Sequence, residues 1–435
     1  MRLVALVSFV MLWPWPTALA QSPIAPAEPP PLHLADAVAW AREHHPALAS
    51  GSARIAAAQQ APEMARSLMP PMLDATIWQW PVTSINPADA NMYMFMIEQE
   101  LPGRGKRQLR AATAAREVGR MTADAAVREQ AVVSGIRQAY AALRATLLEI
   151  GATRDAAAAA RDLIHATEAS YASGNGMQSS VVRAALAETA LTERLAMLDA
   201  DAEMRRLALN GAMGREPTTP IGALDADPPV PFVPTLAALL EEAAAVHPEL
   251  GAARAEVATS DAALEAARAE GKPDWVIQGG YMLMPGEAGA WTARVGLTWP
   301  TAPWAKKRLS AASREAEARI LAAQADLEAA RLQIARMVGE SRASLVGALA
   351  RLAILRDTMR PQSEHLLEAT RLAFAAGRIP LSEVLDAQKM QLQTEVDIAR
   401  TTGDADIAWA ALEAAVGSDL RPAFPIASPP NGGKE

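Results

Sequence analysis

Hydrophobic positions along this chain recur with two different periods. In residues 291–299 the alternation is strict: Trp291, Ala293, Val295, Leu297 and Trp299 point one way, Thr292, Arg294, Gly296 and Thr298 the other. Period two marks a β-strand with one apolar face. Segment 274–284 behaves alike, with Trp275, Ile277, Gly279, Tyr281 and Leu283 opposite Asp274, Gln278 and Gly280. Nearer the N-terminus, Tyr93, Phe95, Ile97 and Leu101 alternate with Met92, Met94, Met96, Glu98 and Glu100. Four strands are predicted, over about 72–82, 91–101, 274–284 and 290–299.

Elsewhere the spacing is helical. Long helices are predicted near 104–172 and 304–375, each followed, after a Gly-containing turn, by a return helix near 178–213 or 381–416. About 70 residues at ~1.5 Å per residue is ~100 Å, far longer than an ordinary globular helix. Ile320, Leu327 and Ile334 are seven apart, as are Ala323, Ala330 and Met337, which suits coiled-coil packing. Pro361 is expected to kink or loosen the second long helix. Before each strand pair a short helix stops at a His-Pro step, His45-Pro46 or His247-Pro248, and a second helix runs on to about Leu68 or Gly271. Proline pushes the residue before it out of the α region.

These elements come twice. His45-Pro46 recurs as His247-Pro248 and Pro71 as Pro273, both at an offset of 202. Lys106-Arg107 recurs as Lys306-Lys307 at an offset of 200. Tyr171-Ala172-Ser173-Gly174 recurs as Phe374-Ala375-Ala376-Gly377, and Gly214 as Gly417, at an offset of 203. Landmarks in one order at nearly one offset indicate an internal duplication, with a period too long for a stacked solenoid. The first repeat spans 33–220 and the second 235–417, with a Pro-rich link at 221–234 and a tail at 418–435.

Composition narrows the class. The chain is rich in alanine, carries only 4% aromatic residues and has a net charge of -8. Alanine favours long, close-packed helices, and the acidic balance argues against a nucleic-acid partner. The absence of cysteine excludes disulfides, thiolate metal sites, a cysteine nucleophile and a lipid-anchor cysteine. Arg2, the apolar run 3–15 and the Ala18-Leu19-Ala20 step read as a secretory signal over 1–20, with a Pro-rich linker over 21–32. No other apolar run reaches the length of a membrane-spanning helix. The protein is therefore expected in the periplasm, outside the cell, or in the outer membrane as a β-barrel.

The strands suit the last of these. Trp291 and Trp299 stand eight residues apart, or ~26 Å along a strand. That matches the apolar band of a transmembrane barrel with its aromatic girdles. A half-buried soluble sheet has the same alternation and stays open at this point. If the strands lie in lipid, four cannot close a barrel and open edges are not tolerated there. Several chains must then share one barrel.

The turn motifs Tyr171-Ala172-Ser173-Gly174 with Ser179-Ser180-Val181-Val182, and Phe374-Ala375-Ala376-Gly377 with Ser382-Glu383-Val384-Leu385-Asp386-Ala387-Gln388, add to this. So does the strand-to-helix step Glu100-Leu101-Pro102-Gly103-Arg104-Gly105-Lys106-Arg107. With the duplication, these resemble the TolC-type outer-membrane factors, the last step most of all their heavy-metal efflux branch. The resemblance covers about 33–417. It implies a mostly α fold with a small β part: an internally duplicated long-helix α-barrel, plus four strands per chain in a trimeric 12-stranded transmembrane barrel. It implies a homotrimer in outer-membrane lipid that works with a periplasmic adaptor protein and an inner-membrane efflux pump of the resistance-nodulation-division class. The channel itself is passive, without cofactor or catalysis. Copper- or silver-type ions, drugs and secreted proteins are the cargo classes this leaves. A non-pore periplasmic coiled-coil adaptor or scaffold is the alternative from another class.

By motif position, Glu383 and Asp386 match the carboxylates that narrow such tunnels, and three-fold symmetry makes each a ring of acids. The bland alternative is a pair of solvated acids near a helix start, where they suit the dipole. Their first-repeat equivalents, Ser180 and Arg183, are not acidic. Gly174 and Gly377, with Ser179 and Ser382, mark the hairpin tips where an adaptor docks, although glycine there also simply ends a helix. Trp275, Tyr281, Trp291, Trp299 and Tyr93 are the expected membrane-facing aromatic belt. Met92, Met94 and Met96 are soft-metal candidates, weighed against methionine's ordinary role as an adaptable filler. No metalloprotease-type ligand pair, phosphate loop or nucleophile motif is present, so no enzyme is expected.

Overall fold

The computed structural model describes residues 30–174, 176–225 and 233–420. The predicted signal peptide, most of the first linker, half of the second and most of the tail lie outside the described residues. In the first repeat, α1 (Leu34–His44), α2 (Pro46–Ala58) and α3 (Ala61–Arg66) lead to strands β1 (Met72–Trp78) and β2 (Met92–Leu101), then to α4 (Lys106–Ala172) and α5 (Gln178–Met213). The second repeat follows the same order: α6 (Leu236–Val246), α7 (Pro248–Ala269), β3 (Trp275–Leu283), β4 (Ala290–Leu297), α8 (Lys306–Ile354), α9 (Arg360–Ala375) and α10 (Leu381–Val416).

The duplication is physical as well as textual. Buried Ala37, Ala41, Ile136, Leu143, Leu209 and Met213 of the first core have buried counterparts Leu239, Ala243, Val338, Leu345, Leu412 and Val416 in the second. The His-Pro steps repeat their chemistry. His45 Nδ1 accepts the Ala47 N–H at 3.1 Å, and His247 Nδ1 accepts the Glu249 N–H at 3.3 Å. Each imidazole thus caps the helix that its own proline begins. A left-handed glycine at the end of the return helix packs on each cap. A Cβ on Gly417, at φ 86°, would come within 3.0 Å of the His247 ring.

Helix α4 holds the two repeats together, packing on α5, α7 and α10. Its approach to α10 is close enough that Gly403 lies directly against Ala145, with no room for a side chain. Partly buried ion pairs cross the same seam: Arg137 to Glu413 at 3.1 Å and Arg144 to Asp406 at 2.9 Å.

The second long helix is loosened where Pro361 led the sequence reading to expect it, and two strand boundaries differ from expectation. Residues Leu355–Met359 form a π-helical turn just before Pro361. Proline has no N–H and its ring crowds the carbonyl four residues back. The wider turn, with the Arg360 N–H reaching Leu355 O, relieves both within a continuous rod. Strand β1 stops at Trp78, where Gln79 takes a positive φ of 55° and Pro81 follows. Strand β4 stops at Leu297, so Trp299 is not a strand residue. Asp274 and Thr298 close the end of that ladder, with Thr298 N–H to Asp274 O at 2.9 Å and Asp274 N–H to Thr298 Oγ1 at 2.7 Å.

Candidate functional site

The four strands form one antiparallel sheet in the order β1-β2-β3-β4. Its register decides which residues share a face. Leu73 pairs with Ile97, Ile97 with Gly279, and Gly279 with Ala293. The next row holds Ala75, Phe95, Tyr281 and Trp291. Below them lie Gln99, Ile277 and Val295, then Leu101, Trp275 and Leu297. Apart from Gln99 the face is apolar or glycine over the whole sheet. It stands open: Leu73 is 78% exposed, Val295 67% and Trp291 83%. The opposite face carries Met72, Glu98, Gln278 and Arg294 in one row and Asp74, Met96, Gly280 and Thr292 in the next. Of the predicted aromatic belt, Tyr93, Trp275, Tyr281 and Trp291 lie on the apolar face. Trp299 lies beyond the strand, edge-on to Trp304 with centroids 6.1 Å apart.

The sheet is fixed to the helices by a buried cation that the sequence marks only as a landmark of the repeat. Lys106, at the start of α4, is 1% exposed. Its ammonium donates to Asp274 Oδ2 at 2.8 Å and lies 3.4 Å from Glu270. The Gly103 N–H donates to Asp274 Oδ1 at 2.7 Å, and Arg110 holds Glu270 at 2.7 Å. Burial pushes the Asp274 carboxyl up, but the Lys106 and Gly103 hydrogen bonds outweigh it and hold the group below the usual carboxylate range. The elbow of the first repeat is thus pinned to the strand entrance of the second.

The far ends of the long helices are two hairpin tips. Gly174 and Gly377 take positive φ, 77° and 68°. At the second tip the Gly377 N–H reaches Phe374 O at 2.8 Å and the Arg378 N–H reaches Ala373 O at 2.9 Å, a Schellman end. Ser179 is exposed and Ser382 half-buried. Glu383 and Asp386 are both exposed, while Val384, Leu385 and Ala387 between and beside them are buried. Three-residue spacing therefore puts the acids on the outward face of α10. Asp386 lines a groove between α5 and α10 that also holds Arg183, Lys389 and Asp397. Above this tip, Arg360 grips Glu395 with two hydrogen bonds of 2.8 and 2.6 Å, tying α9 to α10 just below the π turn. The methionines Met92, Met94 and Met96 lie on the less apolar face of the sheet. Among the described residues no helix is long and apolar enough to cross a membrane.

Comparison with known proteins places this architecture. The chain resembles the outer-membrane channel OprN, with a TM-score of 0.73 and 20% identity over 89% of this chain and 91% of that one. It resembles the outer membrane protein VceC of Vibrio cholerae, with a TM-score of 0.71 and 20% identity over 88% and 96%. The open-state outer membrane channel MtrE of Neisseria gonorrhoeae matches with a TM-score of 0.70 and 17% identity over 88% and 89%. At these identities the likeness concerns the fold. No curated protein matches the sequence significantly. The model of the outer membrane efflux protein family matches residues 38–215 and again 239–418, once for each repeat, and the chain belongs to that family.

Proposed function

We propose that three copies of this chain form a passive exit duct, a transmembrane β-barrel continued by a helical tunnel across the periplasm. The observation that carries this reading is the open apolar sheet face between two unpaired edges, β1 and β4. Three sheets of four strands give twelve, and closing them removes every edge from lipid. The helices support the same ring. Within one chain the first long helix packs on α7 of the second repeat. By the repeat, α8 requires the equivalent α2 and α3, and only a neighbouring copy can supply them to close a ring. Leu321 and Leu332 of α8, 68% and 67% exposed, are the apolar surface for that contact.

The duct works with a periplasmic adaptor docking at the tips around Gly174, Ser179, Gly377 and Ser382, and with an inner-membrane pump. Heavy-metal ions are the preferred cargo, on the strand-to-helix step and the methionines. Glu383 and Asp386 form the constriction, since both stand on the exposed side of α10 with no local partner needed for packing. Acid rings attract cations and resist passage of anions. Purified protein in planar bilayers is expected to form cation-selective pores. Glu383→Ala with Asp386→Ala is expected to raise single-channel conductance severalfold and to reduce that selectivity. No pores from the wild type would remove the duct, whereas pores unchanged by the double substitution would remove only the gate.

A further inference from the structure

Methionine fills irregular gaps in cores, but the methionine-bearing face of this sheet has no core to fill. Among the described residues no helix packs across it, and the strands contact one another. The register gathers the thioethers nonetheless. Met94 of β2 stands directly opposite Met282 of β3. Met96, two residues along on the same face, lies opposite Gly280. Its Sδ occupies the space that a Cβ on residue 280 would take. Glycine at this point therefore seats the sulfur flat on the sheet, beside Met282. Met94 and Met282, direct cross-strand partners, have Cβ atoms roughly 5 Å apart, and Met96 stands on the roughly 7–8 Å diagonal to Met282, a separation within reach of long side chains, so three flexible thioethers share one small patch. Asp74, the β1 partner of Met96, adds a carboxylate at its edge. Asp74 also accepts the Thr76 hydroxyl, and in the adjoining row Glu98 and Arg294 stand on either side of Gln278.

We propose that Met94, Met96 and Met282, with Asp74 beside them, bind a soft monovalent cation of the Cu(I) or Ag(I) type. Thioether sulfur is a neutral, polarisable donor that selects such ions over hard ones. Three thioethers and one peripheral carboxylate make a site that captures the ion without a thiolate's retention. Its position inside a pore rests on the duct reading above, where this face lines the lumen and three-fold symmetry repeats the patch around it. The cation binding itself depends only on the sheet register.

The test is titration of the purified full-length protein in detergent with silver nitrate, in chloride-free buffer, followed by calorimetry. Met94→Leu, Met96→Leu and Met282→Leu together keep side-chain volume nearly constant and are expected to weaken Ag(I) binding at least tenfold. A control triple, Met64→Leu, Met197→Leu and Met204→Leu, removes exposed helical methionines and is expected to leave that binding unchanged. Magnesium is expected not to compete. Equal loss in both triples, no loss in the first, or displacement by magnesium overturns the site. Wild-type protein that binds Ag(I) but forms no conducting pore keeps the site and overturns the duct. A pore with no Ag(I) binding does the reverse.

Discussion

Ala293→Arg is expected to cost about 2–4 kcal/mol per chain on insertion into a bilayer, the penalty for arginine near the midplane of a barrel's lipid face. Ala293 lies in the middle row of the apolar face, level with Leu73, Ile97 and Gly279, and its side chain is exposed. In a water-facing sheet the same change at an exposed alanine would stay within about 0.5 kcal/mol. The size of the effect therefore separates lipid from water. Thr292→Arg, one residue away on the opposite face, is the matched control and is expected to insert nearly as the wild type does. Folding into lipid vesicles, read by the fraction resistant to protease, measures both. Equal yields for the two variants would contradict the assignment of faces.

Lys106→Ala is expected to destabilise the folded chain by about 3 kcal/mol, the lower end of what breaking a buried pair costs. The ammonium is almost fully enclosed and bonds Asp274, whose side chain is only 16% exposed. Removing it strands that carboxylate next to Glu270. The lower end applies because Glu270 keeps 42% exposure and can rehydrate. Adding Asp274→Asn to Lys106→Met is expected to recover at least half of the loss. The neutral amide still accepts from the Gly103 N–H, and no unpaired charge remains. The pH dependence has a definite sign. Asp274 is held below the ordinary carboxylate value by its partners, so its contribution is complete above the unfolded value of about 3.9. It is lost as pH falls through the lower folded value. The gap between wild type and Lys106→Ala is thus constant near neutrality and narrows in acid, first as the stranded, desolvated carboxyl of the variant takes up a proton and last as Asp274 of the wild type does. Urea unfolding in detergent at pH 7 and pH 3 reads both points, and a gap equally large at pH 3 would contradict the pair.

How much of this was legible in the sequence follows from what each feature depends on. Strand faces depend on residue parity alone, so Tyr93, Trp275, Tyr281 and Trp291 could be assigned to one side before any register was known. Trp299 has the same parity but lies past the point where Asp274 and Thr298 end the ladder, and parity does not report where pairing stops. The duplication was visible because His-Pro steps and terminal glycines are fixed by backbone geometry, which tolerates few substitutes. The burial and pairing of Lys106 were invisible for the opposite reason. A lysine in a basic pair at a helix start ordinarily faces water, and its partner lies 168 residues away. The available signal was Asp274 itself, an acid set directly before an apolar strand. Pro361 announced a disturbance, but whether the helix would kink or widen depended on the packing around Leu355.

The most direct test of the shared barrel uses the absence of native cysteine. Within one chain β1 and β4 are separated by two strands, roughly 14 Å, beyond the roughly 7 Å that a disulfide spans. Cysteines are placed singly in β1 at positions 73, 75 or 77 and paired with one in β4 at 291, 293 or 295. They can then join only between copies. On oxidation in native membranes, at least one combination is expected to give covalent dimers and trimers and nothing larger. Monomers alone from every combination, or a ladder continuing beyond the trimer, would contradict a closed ring of three.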